Sequence, residues 1–321
     1  MLQLPDFIQK QIVIIDPRNG TGVNDVKFKN ENIVLYRDGE IINQVSIHKI
    51  FAVFIVGEMT LTSVLIKKLK KCGVSIFLLN RNFEEYASIC AQAEGNYLLR
   101  HNQYHFSDAL NFSKNLVKNK CYNQSILLKE NAPELYKKTS RLRNHKEIEL
   151  KVDQSISMDQ LLGIEGNMAK SYFKTCFRDI GWYKRMPRSK IDITNVLLDI
   201  GYNMLFNFID SLLRLHGFDT YKGIYHQLFF QRKSLSCDIM EPFRVLIDKA
   251  LIKAFHLGQI DEKDFKLAKG QYFLKIDQSR KYVRIFLDVL MDSKEDIFVY
   301  VKEFYFCILN QKQEYPFFKL K

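Results

Sequence analysis

Asn32-Ile-Val-Leu-Tyr-Arg37-Asp38-Gly39-Glu40-Ile-Ile-Asn-Gln-Val45 is two β-prone runs joined by Asp-Gly. That dipeptide between such runs marks a tight hairpin. The stretches around it read the same way. Gln11-Ile-Val-Ile-Ile-Asp-Pro17 is a short apolar run ending at a turn, and Asp25-Val-Lys-Phe-Lys29 alternates polar and apolar. Ile50 to Val56 is a continuous apolar strand, and Val74 to Leu79 is another. Between them, Thr60 to Lys71 has a helical period that stops at Gly73.

From about Asn96 the period is helical. Leu98 to Glu130 contains no Gly or Pro, and Pro133 breaks it. Glu134–Leu150, Asp159–Phe177, Asp192–Leu215, Ile239–Leu257 and Ser279–Met291 are further helix candidates. The expected fold class is α+β: a small N-terminal β-rich domain, residues 1–95, followed by a larger all-α domain, residues 96–321.

Charge follows the same division. The 321 residues carry 48 Lys/Arg and 36 Asp/Glu, a net of +12, yet residues 1–95 hold 11 and 10 of these. The excess positive charge therefore lies in the second part, which points to a polyanionic partner gripped there. A membrane is disfavoured as that partner. The longest apolar run, Ile50–Val56, is far short of the ~20 residues a span needs, and no helix combines a basic face with a clean apolar one. Six cysteines form no C-x-x-C pair, and the start lacks a secretory pattern, so reduced thiols in a cytoplasm are expected.

Two stretches carry chemistry. In Met158-Asp-Gln-Leu-Leu-Gly-Ile-Glu-Gly-Asn-Met-Ala-Lys-Ser-Tyr-Phe173, Leu161, Met168 and Tyr172 share a helical stripe, and Glu165 falls on it. A carboxylate facing an apolar interior costs several kcal/mol unless compensated. Gly163 and Gly166 flank it, as if another backbone or a ligand came close; a half-exposed Glu beside two unrelated glycines is the plainer reading. In Tyr225-His-Gln-Leu-Phe-Phe-Gln-Arg-Lys-Ser-Leu-Ser-Cys-Asp-Ile-Met-Glu-Pro-Phe-Arg244, Asp238 and Glu241 are three apart. On one helical face they repel unless a cation lies between them. Pro242 places them near a helix N-terminus, where simple capping is the structural alternative. With His226, these acids and Glu165 form a plausible carboxylate–imidazole metal set.

These stretches resemble the CRISPR-associated protein 1 family, the integrase and endonuclease of spacer acquisition. Gly163-Ile-Glu165-Gly166-Asn-Met-Ala169-Lys-Ser-Tyr172-Phe173 is similar to its E-G-x-x-A-x-x-Y-aromatic motif. Asn195-Val-Leu-Leu-Asp-Ile-Gly201-Tyr202-Asn-Met-Leu205 resembles N-x-L-L-x-x-G-Y-x-x-L, and Gly223-Ile-Tyr-His226 resembles the loop with the family's metal-binding His. Ser234 to Arg244 resembles S-L-x-x-D-x-x-E-x-F-R, and Val117-Lys118-Asn-Lys120 with Asn123-Gln124 is also similar. Tyr225 stands where an aliphatic residue is frequent.

The resemblance implies a catalytic set of Glu165, His226, Asp238 and Glu241. Glu165, His226 and Glu241 would bind one divalent metal, with Asp238 in support. The ligand types suit Mg²⁺ or Mn²⁺, although His and Glu also suit zinc. It further implies a homodimer, a small partner called CRISPR-associated protein 2, and double-stranded DNA as substrate. A DNA 3′-hydroxyl would attack a phosphodiester of the repeat, so that captured fragments join the array. Arg232, Lys233 and Arg244, then Lys184, Arg185, Arg188 and Lys190, are expected to hold phosphates, and Tyr172 and Trp182 are candidates for stacking on bases. Two rivals share these residues: a metal-dependent, structure-specific nuclease that does not integrate, and a non-catalytic DNA-binding scaffold.

Overall fold

The computed structural model describes residues 2–17, 25–91, 93, 95–138, 145–182 and 184–321. After a short helix α1 (Leu4–Ile8), the N-terminal region builds two sheets. Strands β2 (Asp25–Lys29), β3 (Asn32–Arg37) and β4 (Glu40–Ser46) form an antiparallel sheet in that order. The β3–β4 turn closes at Asp38 and Gly39, both left-handed with φ of 50° and 85°, as an Asp-Gly hairpin requires.

The second sheet runs β1 (Gln11–Ile15), β5 (Ile50–Val56), β6 (Ser75–Leu79), β7 (Glu85–Ile89). Its first three strands are parallel and β7 is antiparallel. Every residue of β5 is buried. Ala52, Phe54 and Val56 face the helical core, while Val53 and Ile55 face a smaller core beneath α2 (Ser63–Lys71). A strand covered on both sides has no solvent face, which is why its sequence is apolar without alternation.

The rest is mostly helical. Two α-helices, α3 (Tyr97–Tyr104) and α4 (Ala109–Asn131), replace the single helix expected over 98–130. Then come α5 (Pro133–Lys138), α6 (His145–Gln154), α7 (Met158–Cys176), α8 (Ile193–His216), α9 (Ser234–Met240), α10 (Arg244–His256), α11 (Ser279–Asp292) and α12 (Lys294–Asn310). Of the surface helix expected over 134–150, residues 139–144 lie outside the described ones. The expected helix 239–257 is interrupted, because Pro242 sits in a 3₁₀ turn, Glu241–Phe243, between α9 and α10. The second part is also not all-α. Strands β8 (Phe265–Ala268) and β9 (Gln271–Leu274) pair across Lys269-Gly270, whose φ values of 50° and 72° again suit a tight turn.

One core runs through both regions. Phe7 stacks on Phe298 of α12 with ring centroids 4.5 Å apart and meets Phe51 of β5 edge-on at 5.2 Å. Helix α8 crosses the middle. It is long and apolar enough to cross a membrane, but 83% of its apolar window is buried inside this fold. Its Gly201 lets α10 and α11 approach: a Cβ there would lie 2.4 Å from Ile247 Cγ2 and 3.0 Å from the Phe286 ring.

Two polar features cross this core. Tyr172 and Tyr202 both donate hydroxyl hydrogen bonds to buried Asp248, at 2.8 and 2.5 Å. Helix α4 carries asparagines at four-residue spacing, 115, 119 and 123, and they hold the segment Tyr315–Leu320 as a strap. Asn115 donates to the Pro316 carbonyl at 2.9 Å. Asn119 donates to the Phe318 carbonyl and accepts from its N–H, at 2.5 and 2.9 Å. Asn123 accepts from the Leu320 N–H at 2.8 Å and donates to the Phe318 and Pro242 carbonyls at 3.1 and 3.2 Å.

Two stability measurements follow. Gly201→Ala forces a methyl into a closed helix crossing and should lower the unfolding free energy by about 2 kcal/mol in urea denaturation; an unchanged midpoint would mean the crossing has room. Burial pushes the Asp248 carboxyl up, and although Tyr202 and Tyr172 pull it back, it stands at about 6 rather than 3.8. Between about pH 4 and 6 the folded protein keeps a proton that the unfolded chain releases, so this group's contribution falls as pH rises through that window. Asp248→Asn should remove a fall of about 3 kcal/mol between pH 4 and 7; an identical decline in variant and wild type would contradict it.

Candidate active site

Asp238 lies in the body of α9, fully buried, and its carboxylate serves a different segment of chain. Oδ2 accepts the N–H groups of Ile224 and Tyr225 at 2.7 and 3.0 Å, and Oδ1 accepts that of His226 at 2.9 Å. Capping, the structural alternative for these acids, is not what Asp238 does: in place of the orphan donors of a helix start it accepts those of a loop. Gly223 begins that loop, and a Cβ there would lie 2.6 Å from Ser234 Cβ and 2.8 Å from the His226 carbonyl oxygen. Only glycine allows the loop to pass this close.

The same carboxylate orients the imidazole. His226 Nδ1 is 2.6 Å from Asp238 Oδ1. A carboxylate accepts, so Nδ1 carries the hydrogen toward Asp238, and in the neutral imidazole Nε2 is the nitrogen whose lone pair can bind. This carboxylate–imidazole pairing is the arrangement that fixes a metal-binding histidine.

Glu165 sits on α7, and its Oε2 accepts the Tyr225 hydroxyl at 3.0 Å. Burial raises the pKa of that hydroxyl, and the Glu165 charge raises it further, so Tyr225 stays a donor. Among the described residues, a Cβ at Gly163 or Gly166 on α7 would meet nothing within 4 Å, so of the two occupants expected beside these glycines no other backbone is there, and the exposed face leaves room for a ligand.

Glu165 and Glu241 are joined by Lys120 of α4, which the sequence reading quoted but gave no role. Its Nζ pairs with Glu165 Oε1 and lies 2.6 Å from Glu241 Oε2. Glu241 Oε2 nevertheless has no hydrogen-bond partner, so this contact is an ion pair by distance only. On the other side, Arg244 Nε is 3.0 Å from Glu241 Oε1. Burial raises the Glu241 carboxyl, but Arg244 and Lys120 outweigh it and hold it down to about 2. Burial lowers Lys120, and the two glutamates more than reverse this. As the side chains stand, no three His, Cys, Asp or Glu among the described residues are gathered for a metal ion.

The expected phosphate contacts divide. Arg185 is committed to Asp199 at 2.5 Å and Asn195 at 2.9 Å. Lys233 pairs with Glu85 of β7 at 2.5 Å and Asp210 of α8 at 3.0 Å, joining the two regions. Arg244, besides its pair with Glu241, lies over the Tyr202 ring at 4.7 Å. Lys190 is half-buried, 5.1 Å from the Phe273 ring centroid. Lys184, Arg188 and Arg232 are exposed. Tyr172 and Trp182 are buried and cannot stack on a base; the Trp182 indole N–H donates to Asp192 at 3.1 Å. Exposed aromatic rings lie elsewhere, among them Phe229 and Phe230, which with Leu228 stand out in the loop that leaves His226.

Comparisons with known proteins bear on the family and the fold. The family model described as "CRISPR associated protein Cas1" matches residues 21–287. CRISPR-associated endonuclease Cas1 1 of Thermodesulfovibrio yellowstonii is 28% identical over 275 residues, 80% of this chain and 86% of its own length. Among solved structures, a chain of a Cas6-RT-Cas1–Cas2 complex matches 98% of this chain with TM-score 0.79 and 23% identity, and this chain spans 36% of that longer polypeptide. A casposase bound to an integration product matches with TM-score 0.78 and 22% identity over 95% of this chain and 92% of its own. These two likenesses are of fold. With the matched segment covering most of its length, the chain belongs to the CRISPR-associated Cas1 family.

Proposed function

We propose that this chain is a metal-dependent DNA strand-transferase and endonuclease of CRISPR spacer acquisition. The observation that carries the reading is the His226–Asp238 pair beside Glu165 and Glu241. It turns Nδ1 to Asp238 and leaves Nε2 as the nitrogen that can bind, beside two carboxylates whose charge Lys120 meets. The set of one imidazole and two carboxylates suits Mn²⁺ and accepts Mg²⁺. Glu165, His226 and Glu241 would hold the ion. When bound, it supplies Lewis acidity toward the scissile phosphate and the attacking or leaving oxygen.

The protein's own residues do the rest. Asp238 keeps the His226 tautomer and ring plane, and Tyr225 fixes one oxygen of Glu165. Arg188, Arg232 and Lys184 are free to meet phosphates, whereas Arg185, Lys233 and Arg244 act on DNA only through the residues they brace. Phe229 and Phe230 offer bases the stacking surface that Tyr172 and Trp182 cannot. A DNA 3′-hydroxyl displaces a repeat 3′-oxygen in one in-line exchange, and no covalent enzyme intermediate is required. Residues 1–95 serve dimerisation and residues 96–321 catalysis, in a cytoplasmic homodimer that works with CRISPR-associated protein 2. The name of the curated relative, an endonuclease, favours hydrolysis as a second use of the same site.

A strand-transfer assay tests this. Labelled duplex and a supercoiled repeat plasmid are incubated with protein, with and without the small partner, in Mg²⁺ or Mn²⁺. Changing a group that merely orients a metal ligand costs 10–100-fold, so His226→Ala should lower joining at least about a hundredfold. Cleavage without joining would favour the nuclease. Undiminished joining by folded His226→Ala would overturn the assigned site.

A further inference from the structure

Lys120 is 8% exposed and lies on a helix face where its neighbours Asn119 and Asn123 are fully buried. A buried ammonium is tolerated only where its charge is met. Here it is met twice, by carboxylates from different elements: Glu165 on α7 and Glu241 in the 3₁₀ turn. Those two are the carboxylates assigned above to the metal. The position of the ammonium is itself fixed from outside the site, because Asn119 and Asn123 clasp the strap while Asn123 also holds the carbonyl of Pro242, next to Glu241.

We infer that Lys120 is the resident counter-cation of this carboxylate pair. It holds Glu165 and Glu241 at a shared spacing until a divalent ion binds, and it must yield its place between them when one does. The inference rests on the metal reading proposed above. Its sense is electrostatic. Glu165, Glu241 and Asp238 bring three negative charges, and Lys120 and Arg244 bring two positive ones. Without Lys120 the carboxylates would repel across a short gap in a poorly solvated place. With it, the site keeps its shape in the metal-free protein, at the expense of metal affinity. Lys120 is thus a positioning residue, and its flexible four-carbon stem allows the ammonium to withdraw without moving α4.

Opposite signs make the test sharp. A lysine that only supports the fold would, when removed, weaken metal binding along with stability. A counter-cation would, when removed, lower stability without metal and strengthen metal binding. Wild type, Lys120→Met, Lys120→Arg, His226→Ala and the double variant Lys120→Met/Glu165→Gln are compared by melting temperature with and without Mn²⁺, and by Mn²⁺ titration read by electron paramagnetic resonance. Lys120→Met should melt lower than wild type without metal, gain more from Mn²⁺, and bind it at least about tenfold more tightly, as expected for loss of a like charge a few ångströms away. Lys120→Arg should restore the metal-free melting temperature. The double variant should recover it too, since one of the two repelling charges is gone, which keeps the test readable if Lys120→Met alone folds poorly. Mn²⁺ bound by Lys120→Met no more tightly than by wild type, while His226→Ala abolishes binding, overturns this inference and leaves the metal reading standing. Mn²⁺ binding that is indifferent to His226→Ala overturns the metal reading and this inference with it.

Discussion

A carboxylate with no water around it must find donors in the protein, and Asp238 finds them in three successive backbone N–H groups and one imidazole. This single requirement shapes the site. It holds residues 224–226 against α9, it demands glycine at 223, and it engages one nitrogen of His226 while sparing the other. The energetic logic is that of a fully satisfied polar cluster: each member is costly alone, and together they specify one arrangement. Loss of Asp238 would not simply remove a charge. It would strand three backbone donors and free the imidazole to rotate.

The second organising element is the polar stripe of α4. A helix at the centre of a core is expected to be apolar around its circumference, yet Asn119, Lys120, Asn123 and Gln124 are all buried here. Each of the first three has a long-range partner, and these partners come from three places: α7, the 3₁₀ turn after α9, and the strap. Helix α4 is therefore the part to which the elements of the candidate site are referenced. Meanwhile Tyr172, Tyr202 and Arg244 lie behind the site around Asp248 and Glu241, so the helix of Glu165, the long central helix and the turn of Glu241 are tied at a second level.

What was legible in the sequence was what depends on neighbours along the chain. The hairpin at Asp38-Gly39, the doubly buried strand Ile50–Val56 and helix Met158–Cys176 with Glu165 on its buried side could all be read from turn chemistry and period. Strand β7 could not, because Glu85–Ile89 is a half-exposed edge with no apolar run. The hairpin 265–274 was missed for the same reason: its strands are four residues each and mostly solvent-facing. In the site, the acids were visible but their partners were not. Asp238 is answered by a loop more than ten residues upstream, and Lys120 by carboxylates from two later elements. The signal for Lys120 was a charged residue on the stripe that includes Leu116 and Leu127, the same kind of anomaly that singled out Glu165. Arg185, Lys233 and Arg244 show the reverse: a basic residue near a site reads as a ligand for phosphate until its internal acid is seen.

The strap has a consequence for how the molecule comes into being. A chain leaves the ribosome from its N-terminus, and domains form as soon as enough of them has emerged. Glu165, His226, Asp238 and Glu241 all precede the segment that bonds Asn119 and Asn123. Until Phe318 and Leu320 have been synthesised and have found α4, Asn119 lacks its strap partners and Asn123 keeps only the Pro242 carbonyl. The nascent protein can therefore assemble its carboxylates and histidine early but not lock the helix that aligns them. The strap therefore joins after these four side chains, and a chain cut before Tyr315 would hold all of them while lacking the clasp on α4.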